Sequence, residues 1–230
     1  MMYDSVTVTA AVVAAIAALF LILWFLPKPN LRGDVVVAVC AAAGCGAAVA
    51  TGASPSDLGF KPVTSPLRLL AEVVGLVLAT YVAKGLLVDG LAIRLLGVPE
   101  PPVEADAGRY RNRRSLLAEL WSSAYASPLE ELLFRGFLQT AVTFIALQTA
   151  PPVVAIPVAV LLPALLFGIA HRAQGPAGVL AATTVGAVFG TWFAANGHDL
   201  VPLMLAHLLI NVTTCVLLFL VPPERLRQPA

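Results

Sequence analysis

The chain has 230 residues, 59% of them hydrophobic and 12% charged, with a mean hydropathy of +0.89 and a net charge of +1. A soluble domain carries about twice that charged fraction, so the composition excludes one and points to a polytopic membrane protein. A net charge this small provides no global field for nucleic acid or another strongly charged partner.

Runs long enough to cross a bilayer, about 20 residues of helix, fall at roughly 6–26, 35–51, 67–88, 128–147, 153–171, 177–195 and 200–221. The expected fold is therefore all-α, a transmembrane bundle of seven spans. Segment 109–127 is either an interfacial helix or the start of an over-long fourth span, and an eighth crossing if it spans by itself. The first run lacks a basic leading region and a small-residue cleavage site, so it is expected to remain as an anchor. Cys40, Cys45 and Cys215 lie in apolar stretches without CxxC spacing and read as small core residues.

Basic residues set the expected orientation. With the N-terminus outside and the C-terminus cytoplasmic, the inner loops hold Lys28, Arg32, Arg94, Arg109, Arg111, Arg113, Arg114, Arg172, Arg225 and Arg227. The outer loops hold Lys61 and Arg68, and Lys84 and Arg135 lie within spans. The positive-inside bias favours that arrangement in a cell membrane.

An ionisable side chain inside a bilayer costs roughly 2.5–3.5 kcal/mol on insertion scales and calls for a partner or a wet cavity. Glu72, Lys84 and Asp89 lie toward span ends, where structural or interfacial roles suffice. The others concentrate in three places: Glu130, Glu131 and Arg135 in the fourth span, His171 at the end of the fifth, and His207 with Asn211 in the seventh. His198 falls in the loop ANGHDL and reads as solvated. Glu131 and Arg135, four apart, share a helix face and can pair. Glu130 is turned about 100° from Glu131 and faces another neighbour. His207 and Asn211 form a polar stripe, and Phe167 stands one turn before His171, where its ring can orient the imidazole.

Each residue also has a plainer reading. Ser127, Pro128 and Glu130 fit a helix-capping box, and a single membrane histidine often serves as interhelical glue. Together, however, the three stripes suit a common interior site. They support acid–base activation of water with an oxyanion held by Asn211 and a histidine. They equally support a divalent metal such as zinc on Glu130, His171 and His207, or a proton relay in a transporter. No HExxH or GxSxG motif is present.

EELLFR at 130–135, FGIAH at 167–171 and HLLIN at 207–211 resemble the three ordered motifs EExxxR, FxxxH and HxxxN/D of the CAAX-protease and bacteriocin-processing family, and FRGFLQ resembles its usual continuation. The resemblance covers about 115–221, dividing the chain into N-terminal helices and loops (1–108) and a catalytic membrane core (109–230). It implies a glutamate-dependent intramembrane endopeptidase, with a membrane-associated peptide or protein as substrate and the bilayer as its setting. By position, Glu130 would activate water with help from His171, His207 and Asn211 would stabilise the oxyanion, and Glu131 and Arg135 would support the site. That mechanism can be written without a metal. The short loops and the lack of a eukaryotic targeting extension look bacterial. The competing expectations are a non-catalytic bacteriocin-immunity or scaffold protein and a small transporter.

Depth adds one further expectation. For Glu130, His171 and His207 to converge, the fourth helix should begin well before Pro128, running over 115–147 with a kink at the proline. The site should then be a cytoplasm-facing, water-filled cavity.

Overall fold

The computed structural model describes residues 6–25, 33–50, 52–99 and 112–220. Among these residues the chain forms seven long helices and no strand: α1 Val6–Phe25, α2 Gly33–Ala50, α3 Pro66–Leu95, α4 Arg113–Thr149, α5 Pro152–Ala170, α6 Gly175–Ala195 and α7 Val201–Leu220. The last five are long and apolar enough to cross a membrane, and α1 and α2 are apolar helices beside them. The protein is a multi-pass membrane helix bundle, and each expected apolar run corresponds to one helix. Lys28, Arg32, Arg109, Arg111, Arg225 and Arg227 lie outside the described residues.

The fourth span starts early, as depth requires. Asn112 caps α4 by accepting from the Ser115 backbone at 2.9 Å, while the Ser115 hydroxyl faces the Asn112 backbone N–H at 3.2 Å. This reciprocal pair satisfies backbone donors that a helix start leaves orphaned. The capping box is thus at 112–115, and the alternative box at Ser127 does not form, because Ser127 and Pro128 lie inside the helix. At about 1.5 Å per residue, the 37 residues of α4 run well beyond a bilayer core of about 30 Å. Segment 113–127 is therefore the first half of this helix, not a span of its own. Pro128 removes one backbone donor, and the ladder then widens to π geometry over Leu132–Gln139. A second π stretch, Gly85–Leu95, extends α3 past its expected limit.

Small residues permit close packing where α5 meets α6. Ala155, Ala159, Ala164, Gly168, Ala182, Gly186 and Gly190 are all buried, and such residues let membrane helices approach at backbone distance. A Cβ at Gly186 would lie 2.9 Å from the Ala164 Cα. Two larger groups fill the rest of the interior. Phe20, Val36, Cys40, Phe134, Phe137 and Phe167 pack on one side, and Leu76, Phe189, Phe193, Leu200 and Leu203 on the other. Cys40 and Cys215 are buried and Cys45 half-buried, and among the described residues none of the three forms a disulfide.

The α2–α3 loop folds back over the bundle. Gly59, at φ +95°, accepts from the Leu200 backbone at 2.8 Å, and Lys61 donates to the Gly197 carbonyl. Leu58 is buried beneath, next to Gly136, where a Cβ would approach its carbonyl to 2.8 Å. His198 differs from its solvated expectation. It is half-buried in the left-handed region at φ +64°, with its ring edge-on to Phe193 at 4.9 Å. Burial, and then the Lys61 charge, hold its pKa below the ordinary imidazole value.

Candidate active site

The site is built on α4, α5 and α7, with α6 as its floor. Glu131, fully buried, accepts from Arg135 Nη1 at 3.1 Å through Oε1. The same oxygen lies 2.7 Å from His207 Nδ1 on α7. Arg135 is held in turn by the Gly186 carbonyl of α6 at 3.2 Å. One turn later, Gln139 repeats that contact on the Gly190 carbonyl at 2.7 Å. Two such rungs with the same offset fix α4 parallel to α6 and hold the guanidinium in place. Its carbon lies 5.1 Å from the centroid of Phe167 and 5.6 Å from that of Phe189, so two ring faces also surround the cation.

Glu130 is placed differently. Its side chain is 18% exposed, and its one polar neighbour among the described residues is His207 Nε2 at 3.6 Å. The separation of the two acids expected from helical geometry is therefore present, with an addition: Glu131 takes the histidine as well as the arginine. An acid held by Arg135 is an acceptor, so His207 Nδ1 carries the hydrogen and Nε2 is turned toward Glu130.

His171 follows a similar logic at the end of α5. Its backbone N–H donates to Gly168 at 2.9 Å. That three-residue closure frees the Phe167 carbonyl, which lies 2.8 Å from His171 Nδ1. A carbonyl only accepts, so Nδ1 is the protonated nitrogen and Nε2 carries the lone pair. The imidazole packs at a tilt against the Phe167 ring, centroids 4.5 Å apart, and that ring meets His207 edge-on at 5.9 Å. His171 thus joins the cluster through Phe167, and among the described residues it has no direct polar contact with Glu130.

Asn211, one turn beyond His207, donates from Nδ2 to Ser127 Oγ at 3.0 Å. The three expected stripes do converge, bringing Glu130, Glu131, Arg135, Phe167, His171, His207 and Asn211 together. Sequence reasoning missed two further members. Ser127 was read only as a cap, although its position four residues before Glu131 put it on the same face. Phe189, edge-on to His207 at 5.9 Å, carries no sequence signal that separates it from other core aromatics.

Metal donors are arranged less favourably. Among the described residues no three His, Cys, Asp or Glu side chains form a group able to hold a metal ion. His207 Nδ1 and His171 Nδ1 both have protein partners, which leaves Nε2 as the nitrogen each ring turns to the site.

Residues 112–213 match the family described as type II CAAX prenyl endopeptidase Rce1-like. This segment is similar to the Rce1-like family. The match starts at the Asn112 cap and ends just past Asn211, so it contains every member of the cluster. No curated protein and no solved structure matches the chain. The family is one of CAAX-type intramembrane endopeptidases acting on membrane-associated proteins.

Proposed function

We propose that the protein is a glutamate-dependent intramembrane endopeptidase that hydrolyses a peptide bond in a membrane-associated peptide or protein. The observation that carries this reading is the unequal treatment of the two adjacent acids. Glu131 is buried and committed to Arg135 and His207, whereas Glu130 is partly exposed and has no hydrogen-bond partner among the described residues. A carboxylate left free beside the His207 imidazole suits acid–base chemistry and has no use in packing.

In the proposed reaction Glu130 removes a proton from water while His171 Nε2 accepts a hydrogen bond from the same water. The hydroxide adds to the scissile carbonyl. Asn211 Nδ2–H and, with its ring protonated, His207 Nε2–H donate to the resulting oxyanion, the kind of preorganised stabilisation that dominates acyl transfer. Collapse of the adduct breaks the C–N bond, and Glu130 returns its proton to the departing amine. Glu131, held by Arg135, accepts from His207 Nδ1–H and so keeps Nε2 turned toward the site. These steps are written without a metal.

We place the protein in a cell membrane with its N-terminus outside. Arg94 at the end of α3, Arg113 and Arg114 at the start of α4, and Arg172 after α5 fall at one end of an alternating bundle. Lys61 and Arg68 fall at the other end, and the basic end belongs inside.

The test compares peptide termini in membranes from cells carrying the wild type or Glu130→Gln, at matched expression and detergent stability. Termini that depend on Glu130 are expected and will name the substrate. Identical sets of termini would overturn the reading.

A further inference from the structure

The geometry points to Ser127 as a positioning residue for the amide of Asn211, an inference that rests on the peptidase reading above. Ser127 is fully buried within α4, and a hydroxyl removed from water without a partner is costly. Its partner among the described residues is Asn211 Nδ2, at 3.0 Å. This contact is one of two rungs. Glu131 meets His207 at 2.7 Å, and one turn away on each helix Ser127 meets Asn211. The residue numbers rise along α4 as they fall along α7, as an antiparallel pair requires. The upper rung fixes the imidazole and the lower one fixes the amide.

Chemistry gives the lower rung a direction. An asparagine amide has two N–H donors on one nitrogen and an acceptor on the other side. A hydroxyl can accept one of those hydrogens, and doing so holds the nitrogen toward α4. The second N–H is then constrained to the plane of the amide, where it remains available as a donor. Without Ser127 the amide can turn by half a rotation and present its oxygen, an acceptor, to a developing oxyanion. Asn211 is only partly buried, so packing alone does not prevent that flip. Ser127 therefore acts on the reaction through Asn211 and does not touch the substrate.

Two experiments test this. The chain has four asparagines, Asn30, Asn112, Asn196 and Asn211, so [15N]asparagine labelling of the detergent-solubilised protein yields four side-chain amide pairs. The pair lost in Asn211→Ala is expected to exchange slowly with water in the wild type and faster in Ser127→Ala. In proteoliposomes the probe is a peptide spanning a Glu130-dependent cleavage site found in the membrane comparison. Loss of an oxyanion donor in Asn211→Ala is expected to lower kcat by roughly 10²–10³-fold. Ser127→Ala should lower kcat by roughly 10- to 100-fold through misplacement, with KM little changed. The double variant should be no slower than Asn211→Ala alone, and Ser127→Thr, which keeps the acceptor, should recover much of the loss. Unchanged amide exchange, or losses that multiply in the double variant, would overturn the role of Ser127 while leaving the peptidase reading intact. Absence of any Glu130-dependent terminus would overturn both.

Discussion

His207 Nδ1 lies 2.7 Å from Glu131 Oε1, so the histidine is anchored by the buried acid and turned toward the more exposed one. The same oxygen carries the Arg135 contact at 3.1 Å. Two neighbouring glutamates that composition cannot tell apart are thus given opposite tasks by a rotation of about 100° along one helix. One completes a buried network joining α4, α6 and α7, and the other stays partly exposed beside His207 Nε2.

Substituting the two acids should therefore separate activity from stability. Glu130→Gln is expected to remove turnover and leave thermal stability in detergent near that of the wild type. Glu131→Gln leaves Arg135 buried without its counter-charge, a loss that costs about 3–5 kcal/mol when a buried pair is broken. Melting curves of the two purified variants decide the matter. A Glu130→Gln protein as unstable as Glu131→Gln would mean that Glu130 is structural.

Arg135 provides the reciprocal case. Arg135→Met strands Glu131, and the double variant Glu131→Gln, Arg135→Met should be more stable than the sum of the single losses predicts, because it leaves no unpaired charge. The coupling is expected to exceed about 1 kcal/mol in a double-mutant cycle, within the range for residues that share one network. Additive losses would show that the α6 carbonyls and the two aromatic rings hold the guanidinium without Glu131.

Much of this site was legible in the sequence, for a definite reason. Pairs within one helix, such as Glu131 with Arg135, His207 with Asn211, and Phe167 with His171, follow from the four-residue spacing alone. Contacts between helices depend on register, which spacing within each helix leaves open. That is why Glu131 was expected to have Arg135 as its partner but not His207, and why Ser127 passed for a helix cap. The membrane bundle was equally legible from apolar runs. The length of α4 was harder, because its first half is polar enough to resemble a surface segment, and only the need to bring Glu130 level with His207 argued for continuity. The π geometry over Leu132–Gln139 left no trace in the pattern.

Gly186→Ala should act at a distance from the acids. The added Cβ would meet the Ala164 backbone at 2.9 Å, so α5 and α6 must separate and the Gly186 carbonyl must withdraw from Arg135. Overpacking of this kind costs about 1–3 kcal/mol. The expected result is a lower melting temperature together with reduced turnover, because α5 carries Phe167 and His171. Ala at Gly46, which has nothing within 4 Å of its Cβ direction, serves as the control and should change neither. Equal behaviour of the two variants would remove the α5–α6 approach as a determinant of the site.

His198 provides a pH-dependent prediction away from the membrane-spanning helices. Its pKa is lowered in the fold, first by burial and then by Lys61, from an unfolded value of about 6.5. The sign follows from which state binds the proton first. Well above about pH 6.5 both states are neutral and the group contributes no pH dependence; as pH falls below that value the unfolded chain takes up the proton while the folded loop resists it, so stability declines. His198 is half-buried, so the effect is a modest one. His198→Asn tests it, because asparagine tolerates the left-handed backbone at φ +64° and does not titrate. The wild type should lose apparent melting temperature between about pH 7.5 and about pH 5.5, and the variant should lose less. An equal fall in both proteins would assign the pH dependence to other groups.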